Sequence, residues 1–357
     1  MQPDPQRRPL PLAAFGLAAV LPLLLAGLGA GLGGPWIWAA FLYMAVLTVL
    51  LDQLVALTPG ASDGAEFPGA DLLLVTLGLG GLALLPLTTW AVAGDSGLRP
   101  GERGLLFLAT GFWLGQVCHP AAHELIHRPQ RKLFRLGAAV YTALLFGQHA
   151  SAHRLVHHRH VASSEDPNTA RLSESFYRFA PRAWTGSFRR GFAAETALRR
   201  RASRLGPHPY LFYGAGSGLA LLLAAALAGP WGVLTWIGLG LHAQFQILLS
   251  DYVQHYGLER AALPGGKLEP VGPAHSWNTA HWFSSAMMLN APRHSDHHVH
   301  PGRPFPALRL PAVTEAPRLP WPLPVACALA LFPRLWRRAV RPHLARWRET
   351  TPRNTAA

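Results

Sequence analysis

Charge is scarce in this sequence. Only 14% of its 357 residues are Asp, Glu, Lys or Arg, against roughly 25% in a soluble domain, so an ordinary soluble fold is disfavoured from the start. Lysine is nearly missing: of 32 basic residues only Lys132 and Lys267 are lysine. Together with abundant Ala, Gly and Pro, that bias matches a GC-rich bacterial coding sequence and carries no chemistry. Cysteine is limited to Cys118 and Cys327. They lie far apart beside apolar segments, which excludes a disulfide framework and a thiolate metal site. The N-terminal MQPDPQRRP runs into a long apolar stretch without a small-x-small cleavage site, so it reads as a retained first membrane helix rather than a cleaved signal. The formal net charge is +14, but no nucleic-acid-binding motif or stacking pattern accompanies it. Histidine is absent from the first 118 residues and then becomes abundant.

What is present is apolar length. Stretches near 20 residues occur at 11–33, 36–57, 70–93, 104–122, 211–228 and 231–250, each long enough to cross a hydrocarbon core of roughly 30 Å as a helix. Short links such as Gly34-Pro35 and Gly229-Pro230 imply helical hairpins. A further stretch, 136–150, is too short to span and reads as interfacial or re-entrant; the apolar piece 323–332 in the Pro- and Arg-rich tail is shorter still. Basic residues number two in 1–10, fifteen in 123–210 and thirteen in 251–357, but only Arg99 and Arg103 fall between the third and fourth spans. The positive-inside rule then places the N-terminus and both basic blocks in the cytoplasm. The expected architecture is an all-α integral membrane protein of six transmembrane helices, a single domain over 1–357. It comprises a cytoplasmic N-terminus (1–10), four spans (11–122), a cytoplasmic His-rich region (123–210), two spans (211–250) and a cytoplasmic His-rich C-terminal region (251–357).

The histidines gather where the spans return to the cytoplasm. "HPAAHELIH" places His123 and His127 at i and i+4, on one helical face, so both imidazoles can reach one ion. "HRLVHHRH" repeats that spacing with His153 and His157, and His158 sits about 100° further round. "RHSDHHVHP" offers His294, His297 and His298, and "DYVQHYGLER" puts His255 just after the sixth span. A solvated basic loop explains one such cluster; four on one face point to a metal centre. Nine imidazoles exceed the three protein ligands and water of a catalytic zinc. They suit two ions of a redox metal that takes nitrogen ligands and keeps positions open for O₂, for which iron is the natural candidate. A zinc protease built on HELIH leaves seven of the nine unexplained, and a metal transporter would carry its ionisable ligands within the spans.

The elements HELIH, AHRLVHH followed by SSEDPNTARLSESFYRF, DYVQHYGL, HSWNTAHWFSS and RHSDHH resemble the membrane alkane 1-monooxygenase family. That family belongs to the wider membrane desaturase/hydroxylase superfamily, which includes xylene-type hydroxylases. The resemblance covers roughly residues 35–335. It implies a desaturase/hydroxylase-like fold with two non-haem iron ions, held by His123, His127, His153, His157, His158, His255, His294, His297 and His298. It also implies an O₂-dependent hydroxylation of an apolar hydrocarbon, either the terminal methyl of an alkane or the methyl of an alkylarene. Electrons would come from a rubredoxin or ferredoxin-type partner with its NAD(P)H reductase, at the cytoplasmic side of a bacterial inner membrane. A lipid or fatty-acyl desaturase is the rival within the superfamily. Two departures bear on the substrate rather than the metal: Ala152 and Val156 replace the family's Glu and Gly in the second motif, and Ala291-Pro292 replaces Leu-Gln before the third.

Around these ligands, Glu124 and Asp296 are expected to accept the second N–H of a ligating imidazole and so fix its tautomer; Asp166, Asp251 and Asn278 are candidates for that role on the resemblance alone. His119 is expected to pack or hydrogen-bond, and His160, His281 and His300 to flank the clusters. Trp36, Trp38, Trp90 and Trp113 read as interfacial or core aromatics. The Arg-rich 182–204 stretch reads as an amphipathic face on anionic membrane lipid, with docking of an acidic electron carrier as the alternative.

Overall fold

In the computed structural model, which describes residues 8–55, 57–62, 67–203 and 206–350, every regular element is helical; among the described residues there are isolated bridges but no strand. Most of the expected N-terminal cytoplasmic stretch, and Arg204 at the end of the Arg-rich run, lie outside the described residues. Five helices are long and apolar enough to cross a membrane. They are α1 (Leu12–Leu32), α2 (Pro35–Leu54), α3 (Ala70–Ala93), α4 (Pro100–His127) and a 47-residue helix, Pro209–His255. The chain is therefore a multi-pass membrane protein. Large apolar side chains such as Leu72, Leu219, Leu222 and Trp231 are turned outward, an arrangement that suits lipid and would be costly in water.

The long helix is broken where the sequence said it should be. Ala228 (φ −155°) and Gly229 (φ 57°) leave helical geometry just before Pro230. Glycine tolerates the left-handed φ, and proline supplies no N–H to the turn before it. The fourth span is longer than the expected 104–122. It starts at Pro100, behind a cap in which the Glu102 carboxylate accepts from the Arg99 N–H. It then runs on through His127, so the first histidine pair is the last turn of a membrane helix.

The remaining elements form one end of the bundle. α5 (Arg131–Ala143) occupies most of the short apolar segment. Its tip turns back at Leu144–Gln148, and the chain continues as α6, made of His149–Ala152, His153–His157 and His158–His160. Histidines before and after this excursion meet, with His123 Nε2 2.7 Å from His153 Nε2, so the segment leaves and returns rather than passing through. The chain then forms α7 (Phe176–Arg201), whose buried Phe176, Phe179, Ala183, Ser187 and Gly191 make a single stripe along the helix. The long helix Pro209–His255 is α8. Two short helices follow, α9 (Trp282–Met287) and α10 (His294–Val299). The C-terminal region ends in α11 (Leu323–Ala330) and the amphipathic α12 (Pro333–Thr350), an extra helix that the Pro- and Arg-rich composition concealed. Of the four tryptophans, Trp113 is fully buried and donates to the Ala19 carbonyl, while Trp36 and Trp38 face outward.

Close contact between α4 and α5 is what brings the excursion back onto the site. A Cβ at Gly137 would lie 2.7 Å from the Ala122 carbonyl oxygen and 2.9 Å from Leu125, so only glycine lets the two backbones meet one turn from His123 and His127. Overpacking of this kind costs about 1–3 kcal/mol. Gly137→Val is expected to lower the thermal midpoint of the detergent-purified protein and its metal content together. An unchanged midpoint with full metal content would show that α5 is free to move away from α4.

Candidate metal centre

Nine imidazoles converge at the end of the bundle, and they sort into two groups. His123, His127, His153, His158 and His297 form one; His157, His255, His294 and His298 form the other. Within each group the ligand nitrogens all lie within 4.8 Å of one another. Neighbouring nitrogens are closer: His153 to His158 2.9 Å, His158 to His297 3.1 Å, His255 to His294 3.0 Å and His294 to His298 3.1 Å. The groups sit side by side, with the His158 and His298 rings 4.6 Å apart between centroids.

How the helices divide the ligands differs from the i, i+4 expectation in one place. His123 and His127 do share a group, as do His294 and His298. His153 and His157 do not, because α6 contains a π-turn there: the His158 N–H bonds to the His153 carbonyl, five residues back. That wider turn brings His153 and His158 onto one line and sends His157 to the other group; π-bulges of this sort are common at functional sites. The dipeptides His157-His158 and His297-His298 each give one ring to either group, since successive helical residues point about 100° apart.

Burial sets the electrostatics. Loss of hydration pulls His153, His158, His294, His297 and His298 well below the ordinary imidazole range, and their neighbours' like charge adds to the effect. Their lone pairs are therefore free at neutral pH. His157 is the exception. Burial pulls it down, but the Asp166 carboxylate 2.9 Å from Nδ1 outweighs that and holds it above its usual value. Burial would lift Asp166, yet His157, Thr169 and the Asn168 N–H hold it lower. The residues fit a metal site. All the donors are nitrogen, seven of the nine rings are buried and the other two half-buried, and the Nε2 atoms of His127 and His157 are buried with no hydrogen-bond partner among the described residues.

The surrounding carboxylates divide by what they touch. Asp166 contacts a cluster histidine directly and, in turn, Asn168 reaches Asp251 at 2.6 Å. The expected contact of Glu124 with a ligand ring is replaced by another: its carboxylate accepts from the Phe305 N–H at 3.1 Å and faces Arg128. The helix turns residue 124 away from its neighbour His123. Asp296 likewise holds Arg303, His300 and the Arg309 N–H rather than a cluster imidazole. Asn278 ties together Ser276, Ser295 and Pro317. His119 bonds to the Tyr141 hydroxyl at 2.9 Å and lies in neither group; His160 pairs with Glu165 at the surface.

Three residues not singled out in the sequence brace the centre. His149 is buried one turn before His153, stacked on Phe146 and 5.9 Å from His119; its i−4 spacing to His153 was the available signal. Arg293 is buried and donates to the carbonyls of Pro59, Gly60 and Leu308, fixing the start of α10. Asp52 accepts from the N–H groups of Phe283 and Ser284 and so caps α9 from within the second span. Ala152 packs on Gly191 of α7, where a Cβ would come within 3.0 Å of its own.

Comparison with known proteins agrees with this geometry. The family model for fatty acid desaturases matches residues 103–325. Alkane 1-monooxygenase 1 of Pseudomonas aeruginosa is 32% identical over 86% of this chain and 83% of its own, and alkane 1-monooxygenase 2 of the same organism is 29% identical over 88% and 86%. XylM, the xylene/toluene monooxygenase hydroxylase component of Pseudomonas putida, is 28% identical over 90% and 86%.

Asp166→Asn should weaken metal retention, since losing a partner of this kind typically costs 10–100-fold in affinity, while Glu124→Gln should leave it within about two-fold because Glu124 touches no cluster ring. Metal content after graded chelator washes measures both. Equal losses in the two variants would mean that the contact between Asp166 and His157 has no special role.

The chain belongs to the fatty acid desaturase family, among the alkane 1-monooxygenases.

Proposed function

We propose that the protein is a membrane-bound, non-haem di-iron monooxygenase that hydroxylates an apolar hydrocarbon. The observation that carries this is the convergence of nine imidazoles, seven of them buried, in adjacent groups of five and four, in a chain 32% identical to an alkane 1-monooxygenase. All nine are assigned as iron ligands, with one iron in each group. Bound there, the irons supply the activation of O₂. Each turnover inserts one oxygen atom into a C–H bond and reduces the other to water, consuming two electrons and two protons. The protein's part is to keep the donor nitrogens deprotonated by burial, to orient His157 through Asp166, and to enclose the reacting bond away from water.

The substrate is an alkane terminal methyl or an alkylarene methyl; the likeness to both alkane 1-monooxygenases and XylM supports either. It reaches the irons from the bilayer, where such molecules partition. Electrons come from a rubredoxin or ferredoxin-type protein and its NAD(P)H reductase at the cytoplasmic face. Six spans carry the chain through a bacterial inner membrane, because the break at Ala228–Gly229 divides Pro209–His255 into legs of about 28 and 39 Å at 1.5 Å per residue. The concentration of arginine at the histidine-bearing end supports its cytoplasmic placement.

The purified protein should contain two irons and little zinc per chain by elemental analysis; one zinc and no iron would sink both the metal and the reaction. His153→Ala, His255→Ala and His298→Ala should each abolish product from octane or xylene and lower iron content, whereas His119→Ala should keep substantial activity. Iron loss in the His119 variant would show that the ligand set is larger. Reporter fusions after residues 130, 206 and 340 should read cytoplasmic and one near residue 97 periplasmic; a periplasmic reading at 206 would contradict the single-sided site.

A further inference from the structure

Away from the histidines, a cavity of about 570 Å³ opens between α5 and the first turns of α8. Phe134, Ala138, Ala139 and Thr142 form one wall, and Phe212 and Gly216 face them. The lining is almost wholly apolar, and its volume lies within the range of ligand pockets, roughly 300–1,000 Å³. Arg135 also lines it, at the end where α5 begins. Arg131 lies one helical turn earlier on the same face, since i and i+4 stack. Both guanidinium groups are exposed, and neither has an ion-pair partner among the described residues. Like charges at this spacing are unfavourable by a few tenths of a kcal/mol unless an anion lies between them. The opposite end of the groove lies beside Thr142 and Ala143.

An apolar slot with paired cations at its mouth has the shape of one amphiphile. We propose that the groove holds an anionic phospholipid, with one acyl chain between α5 and α8 and the phosphate across Arg131 and Arg135. The charge arrangement favours a phospholipid over a free hydrocarbon, which has nothing to offer two arginines. The site also connects to the metal centre. Tyr213 lines the groove and its hydroxyl lies 3.0 Å from Ser151 Oγ, which donates to Glu195 at 2.8 Å; Ser151 is two residues before His153. A chain seated in the groove therefore presses α5 against the bundle and steadies α6, the helix that supplies three cluster histidines.

The test is a lipid titration of the full-length, metal-loaded protein in detergent, following its thermal midpoint. Phosphatidylglycerol and phosphatidylcholine with the same acyl chains are the two probes. Membrane-surface basic residues each contribute about a five-fold preference for anionic lipid, so phosphatidylglycerol should half-saturate at about 30-fold lower concentration. R131Q/R135Q should erase the preference while retaining hydroxylase activity, and Ala139→Trp should remove stabilisation by both lipids. If the tryptophan variant does not purify, Ala139→Cys carrying an environment-sensitive fluorophore should report the arrival of phosphatidylglycerol directly. Equal half-saturation by the two lipids in the unmodified protein overturns the proposal. So does a lipid preference that survives R131Q/R135Q. A third contrary result is an Ala139→Trp protein with intact lipid stabilisation but a raised KM for octane, which would make the groove a hydrocarbon route instead.

Discussion

Nine imidazole rings packed against one another in two adjacent groups are the constraint on which the rest of the structure depends. Seven of the nine have a ring nitrogen about 3 Å from that of another ring, and Nε2 of His127 and of His157 has no hydrogen-bond partner among the described residues. Where two ring lone pairs meet they repel, and a cation between them would turn that repulsion into binding. The scaffold's task is to hold the rings in place against it. Arg293 clamps the third histidine segment to the 59–60 backbone, Asp52 caps the helix that precedes it, and Gly137 lets α5 close on α4. None of these contacts touches a cluster nitrogen: Arg293 holds the backbone that carries His294, His297 and His298, Gly137 packs on the helix that carries His123 and His127, and Asp52 fixes the short helix before the last group.

The same packing goes with an irregularity in the helix that carries His153, His157 and His158. A regular α-helix offers ligands at i and i+4, enough for a pair per helix. The π-turn in α6 changes that spacing, so His153, His157 and His158 serve two foci from one turn and a half of chain. A second π-turn, Leu114–Cys118, lies in the fourth span just before the first histidine pair. Two adjacent His-His dipeptides then connect the foci, and rotating either helix must change both sets of distances at once.

Much of this was legible in the sequence. Apolar length gave the spans, and Ala70–Ala93 coincides with the expected 70–93. Gly229-Pro230 marked the break in the long helix because left-handed glycine followed by proline cannot continue it. All nine histidines proposed as ligands are drawn together, since spacing on helices is a local property that composition exposes. The partition between the two groups was not legible, because a π-turn depends on tertiary packing and leaves no residue signature. The roles of Glu124 and Asp296 were misread for a related reason: a carboxylate next to a ligand in sequence is about 100° away from it on the helix. Arg293 and Asp52 act over more than 200 residues, a separation at which no local pattern carries information.

That long-range clasp has a consequence for how the protein is made. The first cluster histidine is residue 123 and the last is residue 298, so at synthesis rates of about 5–20 residues per second roughly 9–35 s separate their emergence. Throughout that interval the bilayer already holds four apolar helices and an incomplete set of donors. The second group draws three of its four histidines from 255 onward, whereas four of the five in the first precede residue 160. The first group is thus nearly complete in the chain before the last apolar helix is made, and the second waits on the late segment that Arg293 ties to the 59–60 backbone. The two groups of histidines are completed in order, the first lacking one member when the second still has only His157.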